Sequence, residues 1–447
     1  MDLRDVAHEL VTRARRAGAD TADAVVGEST GLEVGIRLGE IEKLKRSRER
    51  RAGLRVFVGN ATAIASSGDL SSEGIDALVT DAVALARVTA PDPHGGLPDP
   101  ADLATHTPDL DLYDPLVESL EPAAALERCR VAEDTARAVS PEITNSVGAE
   151  FGCGGGHVAL ASSHGFIGGY ASSSFSLSAV PIATRDGHMQ RDYWYSTSRR
   201  LAGLEPAEDI GREAARRTLR RLGGRRVPTG GYPIVFEPEV AASLLRHLAG
   251  AIAGSALYRR ASFLLGKLGE TIAAPGVTIV DDPLRPGGLA SRPFDGEGVT
   301  STRRTIVERG VLASYLLDSY SARRLGLRTT GHAARATGDA PGVSPTNFHL
   351  EPGPHTPAAI IGSVAKGLYV TELIGFGVNT VTGDYSRGAA GLWIENGELT
   401  YPVEEITIAG NLADMFRNVT MVGSDLRVRG ATAAPTVKIE RMTIAGT

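Results

Sequence analysis

The sequence predicts an α+β fold: an N-terminal α+β region, built as two units of helix and antiparallel sheet, followed by a β-rich C-terminal domain that carries one principal helix. Three observations carry this prediction. Stretches alternating with a period of two, punctuated by glycine, recur along the chain and read as antiparallel strands. A few stretches with a helical apolar stripe lie between these blocks. The length of 447 residues is too great for one ordinary core, so two or three domains are expected.

The first unit spans residues 1–90. It opens with an amphipathic helix over residues 2–17, then TADAVVGEST, GLEVGIRLGEIEKLKRSR and RAGLRVFVGNATAIASSG read as strands. A second helix starts at Ser71 or Ser72, either of which is a suitable N-cap, and Ile75, Leu78, Val79, Ala82 and Leu85 fall on one face. Residues 91–115 are dense in proline without a sustained period and read as a connector over the surface. The second unit, 116–224, holds a helix from about Leu120 to Ala138. A Ser/Gly/Ala-rich run of strands follows, whose small residues on one face let another layer approach closely. A helix over 206–222 closes the unit, with acids in its first turn and arginines in its last, as the helix dipole favours. The third unit, 228–447, is mostly short strands. Its Asn396-Gly397 pair, between LWI and ELTYPV, carries a hairpin signal because both positions tolerate positive φ.

Composition excludes several classes of function. The chain is 42% hydrophobic and 22% charged with a net charge of −6, values of a soluble globular protein without a basic nucleic-acid surface. Direct nucleic-acid binding is not expected. No apolar run is long enough to span a membrane, and the charged N-terminal helix lacks the apolar centre of a signal peptide, so a cytoplasmic protein is expected. Cys129 and Cys153, the only cysteines, form neither a disulfide framework nor a zinc ribbon and read as small buried side chains. Lys43, Lys45, Arg46, Arg48, Arg50 and Arg51 form the densest positive run, a solvated strand face or a contact for an acidic partner.

The principal helix of the third unit, 237–254, reads EPEVAASLLRHLAGAIAG. Val240, Leu244, Leu248 and Ile252 recur every four positions and mark one buried stripe. This helix in its setting, the box DDPLRPGGLASRPFDGEGV, the Tyr-Ser-Ala-Arg helix start at 320–323 and the strand-rich GLYVTELIGFGVNTVTGDYSRGAAGLWIENGELTYPVEEITIAGNL together resemble the TldD/PmbA family, also called modulators of DNA gyrase. The resemblance covers nearly the whole chain. Active members of that family carry His-Glu-x-x-x-His on this helix and a cysteine ligand near the C-terminus. Matching Leu244-Leu245 and Gly250 places Arg246 at the first histidine, His247 at the glutamate and Ala251 at the second histidine. No thiol follows Cys153, and the stretch where the cysteine is expected reads MVGSDLRVRG. A guanidinium has no lone pair for zinc, and a catalytic site needs three donors plus an open position. The helix is therefore vestigial as an active site.

The resemblance thus implies the TldE-like branch: no catalytic residue and no metal in this chain, and zinc in a partner bearing His-Glu-x-x-x-His. The two subunits would form a heterodimer around an extended peptide, and the chain alone is a candidate homodimer. Two other readings stand beside it: an interaction protein acting on gyrase or a toxin–antitoxin pair, and a peptidase working through other residues. Candidates for a peptide groove or interface are Tyr258, Arg259 and Ser262 just after the helix, and His332 and Arg335 in the glycine-rich loop 329–342. Asp295 and Glu297 join them as paired carboxylates suited to acid–base work, cation binding or capping a turn. His94, His106, His349 and His355 lie in proline-rich or loop segments and read as solvated. No Gly-x-Ser-x-Gly elbow is present to supply a serine nucleophile.

Overall fold

A computed structural model describes residues 2–447. The first helix, Leu3–Arg16, is capped by Asp2, whose carboxylate accepts the Arg4 N–H, and it buries Val6, Leu10 and Val11. Strands Thr21–Arg37, Glu40–Val58 and Ala61–Ser67 follow. The turns fall inside the second and third alternating stretches. Leu38 and Gly39 both take positive φ, 52° and 87°, whereas Gly31 is a strand interior position opposite Ser47. Helix Ser72–Val88 begins as expected, with the Ser71 side chain accepting from Gly74 N. Leu85 departs from expectation: it is 48% exposed, and Val83 and Ala86 continue the buried face.

In the second unit, helix Pro122–Ala138 starts at a proline, whose missing N–H is no loss in a first helical turn. Strands Ile143–Ser162 and Ile167–Arg185 are the longest pair there, and helix Ala207–Leu219 closes the unit. All seven strands of the N-terminal region join one antiparallel sheet, which the two units share. Their helices cover the face presented by Ala22, Ala24, Val26, Leu32, Val34 and Ile36.

On the same sheet Gly152, Gly154 and Gly156 stand opposite Ser176, Ser174 and Ser172. One of these glycines is sterically required. A Cβ on Gly156 would meet the Glu28 carbonyl oxygen at 1.9 Å, while the nearest atom to a Cβ on Gly154 is 3.6 Å away. Gly156→Ala is expected to destabilise the chain by about 1–3 kcal/mol through the forced backbone shift. Gly154→Ala should have little effect. Urea midpoints of the two variants compare them directly.

The 91–115 connector, read as running over the surface, nevertheless buries Leu97, Leu103, Leu110 and Leu112; Leu103 packs with Phe294, and Ala104 N donates to Gly298 O at 2.9 Å, which ties the segment to the third unit.

The third unit closes on itself. Strand Gly230–Phe236 lies between Lys366–Ile374, parallel to it, and Val437–Ala445, antiparallel. Asp384–Glu395 and Glu398–Asn411 extend the sheet, and the latter pairs back with Val437–Ala445. The resulting five-strand ring has no free edge between first and last strand. The Asn396-Gly397 turn has φ of 52° and 82°, joining its two longest strands. Helix Pro238–Ala251 packs its stripe into this core alongside fully buried Trp393 and Phe236. A smaller sheet with strands Ile279–Asp281 and Arg304–Glu308 lies beside the ring. Short helices Ser319–Leu325 and Leu412–Arg417 accompany the principal helix.

Candidate functional site

The principal helix begins at Glu237, whose carbonyl accepts from Val240 N and Ala241 N. Leu244, Leu245 and Leu248 anchor it from below, which turns Arg246 to solvent and leaves His247 half-buried. Ala251 is fully buried in the last turn. The His247 ring meets Tyr385 edge-on, with centroids 6.1 Å apart. Arg387, two residues along the same strand, donates to Leu373 O at 3.3 Å.

This constellation does not fit zinc. Of the three positions only His247 offers a lone pair, and its Nε2 has no partner. Burial, then the charges of Arg387 and Arg246, push His247 down to about 4, and the same two charges repel a metal cation. Among the described residues no three His, Cys, Asp or Glu side chains converge. Where the cysteine of active relatives is expected, Arg429 instead donates to Tyr195 O at 2.6 Å, pairs with Glu205 at 2.7 Å and lies over Trp194.

The depressed His247 has a consequence for stability. The unfolded chain takes up a proton near the ordinary histidine value while the folded chain resists until about 4. Folding stability is therefore lost as pH falls from about 6.5 toward 4. His247→Leu is expected to shrink that loss, read as the difference in urea midpoint between pH 7 and pH 5.

The other candidates fall into two groups. Tyr258 lines a cavity of about 400 Å³ with Arg55, Glu297, Tyr320 and Arg323, and its ring meets Tyr320 edge-on. Arg259 is exposed with its guanidinium 5.5 Å from the Tyr258 ring. The remaining five, Ser262, Asp295, Glu297, His332 and Arg335, have buried side chains bonded within the chain, and Glu297 also faces that cavity. Ser262 donates to Ala251 O at 2.6 Å and so closes the end of the vestigial helix. His332 bonds Asp281 at 3.1 Å and Thr330 at 2.8 Å. Asp295 accepts from Glu297 N, Val299 N and Ala333 N, holding a turn. Burial, then the charge of Glu297, push its carboxyl up to about 7.

Glu297 and Arg335 reach the first unit. Arg55 contacts Glu297 at 3.2 Å and is bonded to Asp23, which also accepts from Arg335 at 2.9 Å. Burial works against the Asp23 carboxylate, yet Arg335 and Arg55 outweigh it and hold the group below its usual range. A second junction joins the second unit to the third: Arg217 grips Glu237 with two bonds of 3.0 and 2.9 Å, and Arg220 also bonds it. Sequence reasoning missed Arg217, Glu237, Tyr385 and Arg387. The Glu237 position at the start of a helix, with two arginines in the preceding one, was the available signal for the second junction. Nothing local marks Tyr385 or Arg387.

The likeness to known proteins bears on this helix. Residues 22–86, 115–222 and 229–446 match the models of domain 1, the central domain and the C-terminal domain of the PmbA/TldA metallopeptidases. The chain belongs to the TldD/PmbA family. Among relatives, it is 43% identical to the protein named metalloprotease PmbA of Escherichia coli O157:H7, over 96% of this chain and 93% of that one. A Haemophilus influenzae protein named metalloprotease PmbA homolog is 38% identical over 100% of this chain and 96% of its own length. A Bacteroides thetaiotaomicron structure described as a modulator of DNA gyrase superposes with a TM-score of 0.91 at 29% identity, covering 99% of both chains. TldE of Thermococcus kodakarensis, at 21% identity and a TM-score of 0.88 over 99% of this chain and 100% of that one, shows the shared fold. All three domain models of the family are thus matched along this chain. No helix among the described residues is long and apolar enough to cross a membrane.

Proposed function

We propose that this chain is the non-catalytic, TldE-like subunit of a cytoplasmic metallopeptidase, holding extended peptides for a zinc-bearing partner with His-Glu-x-x-x-His. One observation carries the reading: a family fold kept whole around a helix whose three metal and base positions offer a cation, a half-buried histidine without a bonding partner and a methyl group. A subunit that contributes surface needs no ligands, and an extended peptide binds through its backbone with little demand on sequence. The relatives' names attach the peptidase activity to the family. In this reading zinc, general base and hydrolysis belong to the partner alone.

The test is hydrolysis of an unstructured peptide by this chain, by its His-Glu-x-x-x-His paralogue and by the mixture, with zinc quantified in each. Activity and zinc are expected with the paralogue, and activity should rise when this chain is added. Stoichiometric zinc and hydrolysis in this chain alone would overturn the proposal and favour an independent peptidase.

A further inference from the structure

The vestigial helix leaves more than a gap. Arg246 and Arg387 have no ion-pair partner among the described residues; the neighbouring acids are occupied elsewhere, Glu239 by Arg429 at 3.5 Å and Glu372 by Arg221. Arg246 makes no hydrogen bond within the chain, and Arg387 spends one N–H on Leu373 O and leaves its Nε unsatisfied. Beside them the Tyr385 hydroxyl, on a residue only 1% exposed, and His247 Nε2 also lack partners. Three orphaned buried polar atoms, of Tyr385, His247 and Arg387, therefore gather beside a solvent-facing guanidinium. Native chains rarely leave such atoms without a partner, so a cluster of them calls for one. Tyr193 and Tyr195, stacked at 6.0 Å and lying within electrostatic reach of Arg246, flank the approach, with Tyr193 half exposed.

We infer that Arg246, Arg387, His247 and Tyr385 form a carboxylate-binding site on the face where active relatives hold metal. The ligand class follows from the donors. Two guanidiniums present planar N–H forks that match a carboxylate's two oxygens. A neutral imidazole N–H and a phenol O–H are further donors and add no third positive charge. The tyrosine pair offers an apolar flank to the residue bearing the carboxylate. The site therefore takes a peptide by its C-terminal carboxylate or by an acidic side chain, which share this chemistry. The inference rests on the peptide-holding reading above and gives it an anchor point: a chain fixed at one end by charge and otherwise held through its backbone.

Three octapeptides of one unstructured sequence, each carrying an uncharged boron-dipyrromethene label, separate the sources. One ends in a free carboxylate, one is C-terminally amidated, and one is amidated with a single internal Glu. Fluorescence anisotropy with the full chain at low salt is expected to show the free-carboxylate or the Glu peptide bound at least roughly tenfold more tightly than the neutral one. Whichever is preferred names the source. Arg246→Gln, on an exposed side chain, should abolish the preference, as should Arg387→Gln; Arg246→Lys should restore part of it. Salt should weaken the preferred peptide alone. Equal binding of all three peptides, a preference that survives both Gln variants, or no binding of any peptide would overturn the site. If the mixed-subunit assay still shows enhanced hydrolysis in those cases, the scaffold reading stands while the carboxylate site falls. If that enhancement is also absent, both fall.

Discussion

Asp23→Ala is expected to cost the chain about 3–5 kcal/mol of stability, the loss seen when one member of a buried ion pair is removed. The magnitude follows from what remains. Asp23 accepts from both Arg55 and Arg335, whose side chains are 7% and 4% exposed. Its removal leaves Arg55 with Glu297 alone and Arg335 with no acid partner, its Nε and one Nη already unsatisfied. Because the cluster joins the first unit to the third, the loss should appear as separation of two unfolding transitions in urea, followed by fluorescence and far-ultraviolet circular dichroism together. Coincident transitions with an unchanged midpoint would show that the cluster does not couple the units. Glu405→Ala, which breaks the exposed pair with Arg226, is the control and should move the midpoint by far less.

Arg217→Ala ranks second, at a similar about 3–5 kcal/mol, since it strands two acids at once. Glu237 loses both bonds from Arg217, keeping only Arg220, and Asp192 loses the cation 3.5 Å away. Trp194 also loses one of the two guanidiniums over its ring, keeping that of Arg429. The effect should be local as well as global, because Glu237 starts the vestigial helix. Amide hydrogen exchange in residues 240–251 is expected to accelerate more than in the Asp384–Glu395 strand. Uniform acceleration across the third unit would mean that Arg217 supports the core generally and does not fix this helix.

The contrast between these residues and the helix itself explains what was legible in the sequence. A four-residue apolar repeat at Val240, Leu244 and Leu248 is a local signal, and so is Asn396-Gly397, where positive φ selects the residue types; both held. The Ser71 cap was legible for the same reason. Leu85 misled because a broad helical face can be continued by either of two neighbouring positions, and only the sheet beneath decides. The leucines of the 91–115 connector were hidden among prolines, whose lack of period says nothing about burial. The junction clusters were out of reach in principle: Arg55 and Glu297 are 242 positions apart, and an arginine at an alternating strand position reads as solvated until the partner layer is known. On the principal helix the residue types at Arg246, His247 and Ala251 are legible, and they offer no set of zinc donors. What surrounds them was not legible, because Tyr385 and Arg387 arrive from a strand more than a hundred residues later.

The span between Arg55 and Glu297 also sets a schedule for biosynthesis. A ribosome adding roughly 5–20 residues per second needs on the order of 10–50 s to travel that distance. For that interval the nascent first unit holds Asp23 and Arg55 with neither Glu297 nor Arg335 yet made. Asp23 and Arg55 can already pair with each other, but the side of that pair which the third unit covers stays open to water and to chaperones. The junction between the first unit and the third can therefore close only late in translation, once Glu297 and Arg335 have been made.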